Sequence, residues 1–277
     1  STRLIGMGGI PKFMADHNES DVGYYICKYD GAIRFIDTQI GRLCEFMKKN
    51  GIYEETLFVI TSDHGEFLGE NDLYFCHGGL PLEPLIKIPL IIKCLEREEN
   101  PIRIDQQVPS MDILPTVLGL LGISLKRKMR GRDLSSFLTG KTYCETPFSF
   151  FWARHICAVR HKDWKLIYVD RDALIKKRDE LEKMVRKKGI IFEWKSFLLM
   201  QLQFLFESQI PQYLFYDLEK DPQEKNAQLD FVSGDAFIRA RSLLDAWREK
   251  IRDKGGAAAE NFGNDDFERL KTLGYVQ

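Results

Sequence analysis

The stretch TLFVITSDHGE, residues 56–66, decides the fold of this chain. Its first half is short, apolar and rich in β-branched residues, which predicts a strand buried on both faces. Its second half brings Asp63 and His64 to the carboxyl end of that strand, where ligands bind in open α/β sheets. Gly65 permits a turn that lets both side chains reach one ion. A carboxylate beside an imidazole suits a divalent cation, so both residues are candidate metal ligands.

A second histidine, His77, follows His64 after 13 residues, in the sequence CHGG. The adjacent glycines let the backbone approach a ligand closely. A histidine here could bind metal, donate a hydrogen bond to an anionic oxygen, or protonate a leaving group. Taken alone, each of the three polar residues is as readily an ordinary loop residue, but the whole string predicts a site.

Hydrophobic periodicity predicts alternating helices and strands over the rest of the chain. Apolar residues spaced three and four apart from Val22 to Met47 predict a long helix that Asn50-Gly51 ends. The other predicted elements are a strand at 86–94 with a proline at its start or edge, a short buried helix at 110–122 with a serine cap and a closing glycine, two strands at 148–169, a helical hairpin at 171–213, a strand within 214–226 and a helix at 234–254. This order predicts an α/β layered sheet with helices on both faces and a small C-terminal antiparallel sheet.

Composition excludes several classes of protein. The net charge is −1, which gives no reason to expect nucleic acid as a partner, and the basic run at 126–132 reads as a solvated loop. The six cysteines form no C-x-x-C pair, which argues against a zinc cluster. Reduced, buried cysteines favour a cytoplasmic location. No apolar run reaches the ~18 residues of a membrane span.

Six stretches in order carry a family resemblance. They are YDGAIRFIDTQIG (29–41), TSDHGEFLGE (61–70) with the following HGG and IKIPLIIK, VPSMDILPTVLGLLGI (108–123), RGRDLSSFLTG (130–140), LFYDLEKDPQEKN (214–226) and LKTLGYVQ (270–277). Together they resemble the sulfatase family of the alkaline phosphatase superfamily, over most of the chain except 171–213. The resemblance implies an alkaline phosphatase-like α/β fold and hydrolysis of small-molecule sulfate esters.

The resemblance also implies roles for individual residues. Asp63 and His64 take the positions of metal ligands, although many sulfatases have asparagine in place of His64. His77 takes a place that suits contact with a substrate oxygen or protonation of the leaving group. Lys87 stands where the family has an arginine, which makes it a candidate substrate-binding residue, although a place at the start of a strand favours a structural role. Calcium is the usual ion of that family, but because imidazole is a softer donor than calcium prefers, manganese and zinc stay open.

One part of the family pattern does not occur in this sequence. No cysteine or serine fits C/S-x-P/A-x-R, the motif whose first residue becomes the nucleophilic formylglycine, and the early pair of aspartates is not visible. The resemblance therefore implies the C-terminal part of a sulfuric ester hydrolase, with formylglycine expected in the missing N-terminal part and little activity in the isolated chain. Residues 1–140 would be the C-terminal part of the α/β core, and 141–277 a subdomain with the hairpin inserted.

Two alternatives stay open. A phosphodiesterase, phosphonate hydrolase or phosphotransferase of the same superfamily would share the Asp-His-Gly strand and differ in its nucleophile. A non-catalytic module would have kept the fold and lost the chemistry, but the intact Asp63, His64 and His77 count against it. The apolar helix within 171–213 leaves a homo-oligomer open.

Overall fold

The computed structural model describes residues 19, 21–75, 77, 80–95, 103–124, 129–138, 148–153, 155–176, 211–228 and 234–253. The predicted long helix is confirmed as α1, Val22–Lys49. The Asp21 carboxylate caps it by accepting the Gly23 N–H at 2.9 Å. It ends at Asn50, and Gly51 follows with a φ of 70°, a conformation that favours glycine.

Most of the apolar side chains of α1 are exposed. Tyr25 and Met47, near its two ends, are buried. The exposed apolar residues of the helix are Tyr29, Ile33, Phe35, Ile36, Leu43 and Phe46. We call these six residues the α1 apolar face.

The predicted strand at 56–62 is present as β1, Phe58–Thr61, and pairs antiparallel with β2, Leu90–Lys93. β2 begins directly after Pro89, as expected for a proline at a strand start. Burial of β1 on both faces is wrong: its side chains are half-buried and Thr61 is exposed. Within the described residues β1 has one hydrogen-bonded neighbour, in a two-stranded sheet, so much of its surface stays uncovered.

A short helix, α2, spans Glu83–Ile86 between these two strands. The predicted helix at 110–122 is a 3₁₀ turn at Ser110–Asp112 followed by α3, Ile113–Leu120. Gly122, with a φ of 67°, closes it as predicted. The expected serine cap is wrong, since no side chain caps either segment.

The buried Asp112 instead ties this region to the RGRD sequence. Its carboxylate accepts the Arg132 N–H at 2.8 Å and the Arg132 Nη2 at 3.2 Å. The short helix α4, Ser135–Leu138, follows. Arg132 is therefore held by Asp112. The preceding residue is glycine for a different reason, because a Cβ at Gly131 would lie 1.8 Å from the Met111 carbonyl oxygen.

The C-terminal sheet has four antiparallel strands in chain order: β3 (Ser149–Ala153), β4 (Ile156–Arg160), β5 (Trp164–Val169) and β6 (Tyr213–Asp217). The sequence predicted two strands at 148–169, and the structure has three, because the chain also reverses between β3 and β4. The predicted strand within 214–226 is confirmed as β6. Residues 171–176 are helical, and the remainder of the predicted hairpin up to 210 lies outside the described residues.

The hydrophobic core forms on one face of this sheet. It comprises Phe67, Leu82, Leu85, Ile156, Ala158, Ile167, Val169, Leu174, Leu214, Tyr216 and Leu218. The first three of these come from the segments on either side of His77, so the loop after β1 packs into the same core as the C-terminal sheet.

The chain divides after Gln228 into two units. In the second unit, the predicted helix at 234–254 is confirmed as α5, Asp235–Asp253, with Phe237, Ala240 and Leu244 buried. The division after residue 140 stays a prediction. Among the described helices, none combines the length and apolar character needed to cross a membrane.

Candidate metal and substrate site

The turn after β1 is fixed by α2. The Gly65 N–H donates to the Leu85 carbonyl oxygen at 2.8 Å. A Cβ at Gly65 would lie 1.9 Å from the Pro84 carbonyl oxygen, so a side chain at this position would force the two segments apart. On the other side, the fully buried Phe67 anchors the loop in the core. The chain therefore leaves β1 along a path that only glycine permits.

Asp63 and His64 lie at the start of this turn with exposed side chains. The His64 N–H donates to Asp63 Oδ1 at 2.9 Å. His64 Nδ1 lies 2.7 Å from the Gly65 carbonyl oxygen, and to donate there the ring must carry its proton on Nδ1. That tautomer leaves a lone pair on Nε2, which is 3.7 Å from Asp63 Oδ2.

These two atoms fit one cation. A separation of 3.7 Å is shorter than two metal–ligand bonds of about 2.0–2.2 Å each, so one ion can contact both atoms. The hydrogen bond from Nδ1 is the kind of contact that commonly orients a ligating histidine. Among the residues that the structure describes, however, no group of three or more His, Cys, Asp or Glu side chains is arranged to hold a metal ion. Asp63 and His64 thus offer two donors of a larger set.

The third predicted residue, His77, lies against His64. The two imidazole rings are stacked, with centroids 4.3 Å apart and an angle of 17° between their planes. The structure therefore brings together the three side chains of the predicted site. The metal-binding and substrate-binding roles of these residues stay predictions.

Sequence reasoning missed Glu66, which pairs with His77. Glu66 Oε2 lies 3.3 Å from His77 Nδ1, and the Glu66 side chain is 20% exposed against 54% for His77. The hydrogen bond to Glu66 raises the pKa of His77 above 6.5; partial burial opposes this, and the negative charges of Glu66 and Asp63 add to it. The signal was present in the sequence, since an acid directly follows Asp-His-Gly.

Lys87 lies on a different element from the one expected. It is the C-terminal cap of α2, where its N–H donates to the Glu83 carbonyl oxygen at 2.9 Å, and its side chain is exposed. Its predicted place at the start of a strand is wrong, because β2 begins at Leu90. A substrate-binding role for Lys87 stays a prediction.

Comparison with known proteins agrees with this fold. The sulfatase family model matches residues 12–123. The chain is 32% identical to an ulvan-active sulfatase of Formosa agariphila, over 46% of this chain and 24% of that protein. It is 34% identical to the multifunctional alkaline phosphatase superfamily protein PehA of Trinickia caryophylli, over 44% of this chain and 23% of that protein.

Among solved structures, BT4656 in complex with its substrate D-glucosamine-2-N,6-O-disulfate superimposes on 80% of this chain and 40% of its own, with a TM-score of 0.50 and 20% identity. The match to the family model and the similarity to these relatives support the predicted resemblance to the sulfatase family of the alkaline phosphatase superfamily. The predicted alkaline phosphatase-like α/β fold with a small antiparallel sheet is confirmed. The chain spans about a quarter of the length of the two relatives described above.

Proposed function

We propose that this chain is the C-terminal part of a metal-dependent sulfuric ester hydrolase. The observation that carries the proposal is the cluster of Asp63, His64 and His77 at the carboxyl end of β1, within the residues that match the sulfatase family model. Each member of the cluster has a chemical group suited to one part of the reaction. The substrate class is a sulfate ester, and its organic group is left open.

Asp63 Oδ2 and His64 Nε2 would supply two ligands to a divalent cation, with calcium the first candidate and manganese or zinc the alternatives. Such an ion, when bound, neutralises negative charge on the oxygens of the ester. His77, whose pKa is raised by its hydrogen bond to Glu66, would donate a hydrogen bond to a sulfate oxygen or a proton to the leaving oxygen. Lys87 would add a positive charge for substrate binding from α2.

The nucleophile and the remaining metal ligands would come from a preceding N-terminal part, in which we expect a formylglycine. Two observations support this. The chain aligns with only 24% and 23% of its two relatives. The α1 apolar face is also the kind of surface that a further layer of a sulfatase domain would cover. On this proposal residues 1–277 alone would not hydrolyse sulfate esters, because covalent catalysis lacks its nucleophile.

Phosphoryl transfer is the second candidate. The 34% identity to PehA, described as a multifunctional alkaline phosphatase superfamily protein, favours it. Sulfate and phosphate esters present similar tetrahedral oxygens, so the same three side chains would serve either reaction.

The test uses the complete protein encoded by the reading frame that contains this chain. Hydrolysis of 4-nitrophenyl sulfate, 4-nitrophenyl phosphate and bis(4-nitrophenyl) phosphate is measured after chelation and after addition of calcium, manganese or zinc. We expect sulfate release that chelation abolishes. Asp63→Asn and His64→Ala should each lower metal affinity at least tenfold, on the order of the loss seen when metal sites are perturbed.

Asp105→Asn is the matched control, because Asp105 is an exposed carboxylate in an ion pair with Arg103. It should leave hydrolysis and metal affinity unchanged. Turnover of the phosphate diester with no sulfate release would transfer the assignment to phosphoryl transfer. Full activity after chelation would overturn metal dependence, and sulfate release by residues 1–277 alone would overturn the need for an N-terminal part.

A further inference from the structure

A buried ionic network lies behind the site. The Lys165 side chain, on β5, is fully buried. Its Nζ lies 2.7 Å from Glu83 Oε1 and 2.6 Å from Glu224 Oε1, and it donates to the Pro81 carbonyl oxygen at 3.2 Å. A buried ammonium group is stable only with such partners, so the three charged side chains hold one another in place.

Two arms of this network converge on Glu83, the first residue of α2. Arg160, on β4, contacts its carboxylate through Nε at 2.8 Å and Nη2 at 3.1 Å. Glu224 Oε2 accepts the Glu83 N–H at 2.6 Å. Because the Leu82 side chain provides no cap to α2, Glu224 satisfies an N–H of its first turn from 141 residues away.

From α2 a chain of hydrogen bonds leads to the site. The Leu85 carbonyl oxygen accepts the Gly65 N–H at 2.8 Å. The Gly65 carbonyl oxygen lies 2.7 Å from His64 Nδ1. The position of α2 therefore sets the position of the Gly65 backbone, and the Gly65 carbonyl oxygen sets the tautomer and the orientation of the His64 ring.

We propose that Glu83, Lys165 and Glu224 are positioning residues that orient His64. A displaced α2 would leave a charge buried without its partner, so the network favours one position of this helix and of the Gly65 turn that it supports. His64 lies outside the C-terminal sheet, and yet residues of that sheet set the orientation of its side chain. The effect on metal affinity rests on the proposed function, whereas the effect on His64 does not.

The test uses residues 1–277 with three substitutions. Lys165→Met and Glu83→Gln perturb the network. Lys220→Met is the matched control, because Lys220 forms an exposed ion pair with Asp217 at 2.7 Å on the turn that follows β6. Three quantities are measured: hydrogen exchange of the Gly65 amide relative to that of Ile167 in β5, the ring nitrogen chemical shifts of His64 at pH 8, and Mn²⁺ affinity by electron paramagnetic resonance.

In Lys165→Met we expect Gly65 exchange to accelerate about tenfold more than Ile167 exchange, as for local opening of α2. The His64 nitrogen shifts should move from one tautomer toward a mixture, and Mn²⁺ should bind about tenfold more weakly. Glu83→Gln should produce smaller changes in the same direction, and Lys220→Met none. If Lys165→Met does not fold, Glu83→Gln decides.

A network that stabilises the whole fold without orienting His64 would give a different result. Gly65 and Ile167 would then exchange faster by the same factor, and the His64 shifts would stay as in the unchanged chain, which would overturn the proposal. Because the remaining metal ligands would come from a preceding part, lack of Mn²⁺ binding by residues 1–277 would agree with the proposed function, and metal dependence is then decided by the chelation experiment on the complete protein. The exchange ratio and the His64 shifts still test the positioning role in that case.

Discussion

The C-terminal sheet and the α1–β1 region differ in how they treat apolar side chains. Ile167, at the centre of β5, is fully buried, whereas Ile36, on the α1 apolar face, is 57% exposed. Both lie in elements that the sequence predicts from the spacing of apolar residues. The difference shows that the four-stranded sheet completes its core within the described chain, while α1 has apolar surface that the described residues do not cover.

The candidate site lies where these two regions meet. Phe67, Leu82 and Leu85 belong to the core of the C-terminal sheet, while the Asp63 side chain, a few residues before Phe67, is 79% exposed. The backbone of the site is thus anchored on one side, and its functional groups face outward. An exposed cluster on an anchored backbone supports the proposal that a further part of the protein completes the site.

The largest effect on stability should come from the buried ionic network of the C-terminal sheet. We expect Lys165→Met to lower the free energy of unfolding by about 3–5 kcal/mol, because it leaves the Glu83 and Glu224 carboxylates without their shared cation. Urea denaturation measures the change. Lys220→Met, at an exposed pair, should leave the free energy of unfolding nearly unchanged. Equal losses in the two variants would contradict the special weight given to the buried network.

A pair of matched truncations tests the comparison directly. Ile167→Ala should destabilise the chain by about 2–5 kcal/mol, because it opens a cavity in a filled core. Ile36→Ala, at an exposed helical position, should stay within about 0.5 kcal/mol of the unchanged chain. Thermal and urea unfolding of both variants give these values. A large loss in Ile36→Ala would show that the α1 apolar face is covered in solution.

Gly65→Ala tests the turn that joins the two regions. Because the added Cβ would meet the Pro84 carbonyl oxygen at 1.9 Å, we expect a loss of about 1–3 kcal/mol, together with weaker Mn²⁺ binding. Gly41→Ala is the control, since a Cβ there meets nothing within 4 Å. In the middle of α1 it should stabilise by about 0.5–1 kcal/mol. Unchanged stability in Gly65→Ala would mean that α2 is free to move.

The smallest effect is the pH dependence that Glu83 confers. Burial alone would raise the pKa of Glu83 above 4.5, but contacts with Arg160 and Lys165 outweigh burial and hold it at about 2. A lowered pKa contributes stability that is present above pH 4.5 and is lost as the pH falls toward 2. Burial raises the pKa of Glu224, which opposes this loss. We therefore expect a net loss on the order of 1–2 kcal/mol.

Urea denaturation between pH 6 and pH 3 measures this dependence. Glu83→Gln should flatten the curve over that interval, because it removes the carboxylate whose pKa is lowered. An equally steep curve in Glu83→Gln would assign the acid sensitivity to other carboxylates.

Several expectations drawn from the sequence stay predictions. They are the cytoplasmic location, a homo-oligomer, the lack of nucleic acid partners, the division after residue 140, and the roles of Asp63, His64, His77 and Lys87. Lys87 shows why such roles need a structure. Its neighbours predict a strand, but Pro84 stands at the start of the short helix α2, and Lys87 is the C-terminal cap of that helix.

The sequence by itself determined the elements whose signals are local. Helix periodicity, β-branched runs and the positions of glycine and proline placed α1, β1, β2, β6 and α5, because each depends on residues a few positions apart. The cluster of Asp63 and His64 was predictable for the same reason, since a strand that ends in Asp-His-Gly presents both side chains at one edge.

The tertiary structure alone decided which groups meet across long separations. Glu83 and Glu224 lie 141 residues apart in the sequence, and no local pattern marks them as partners. The pairing of His77 with Glu66, the stacking of His77 on His64 and the burial of Lys165 likewise follow from packing. A charged side chain pairs with a buried partner only when the fold removes water from both groups. The periodicity of apolar residues along the chain therefore does not predict such pairs.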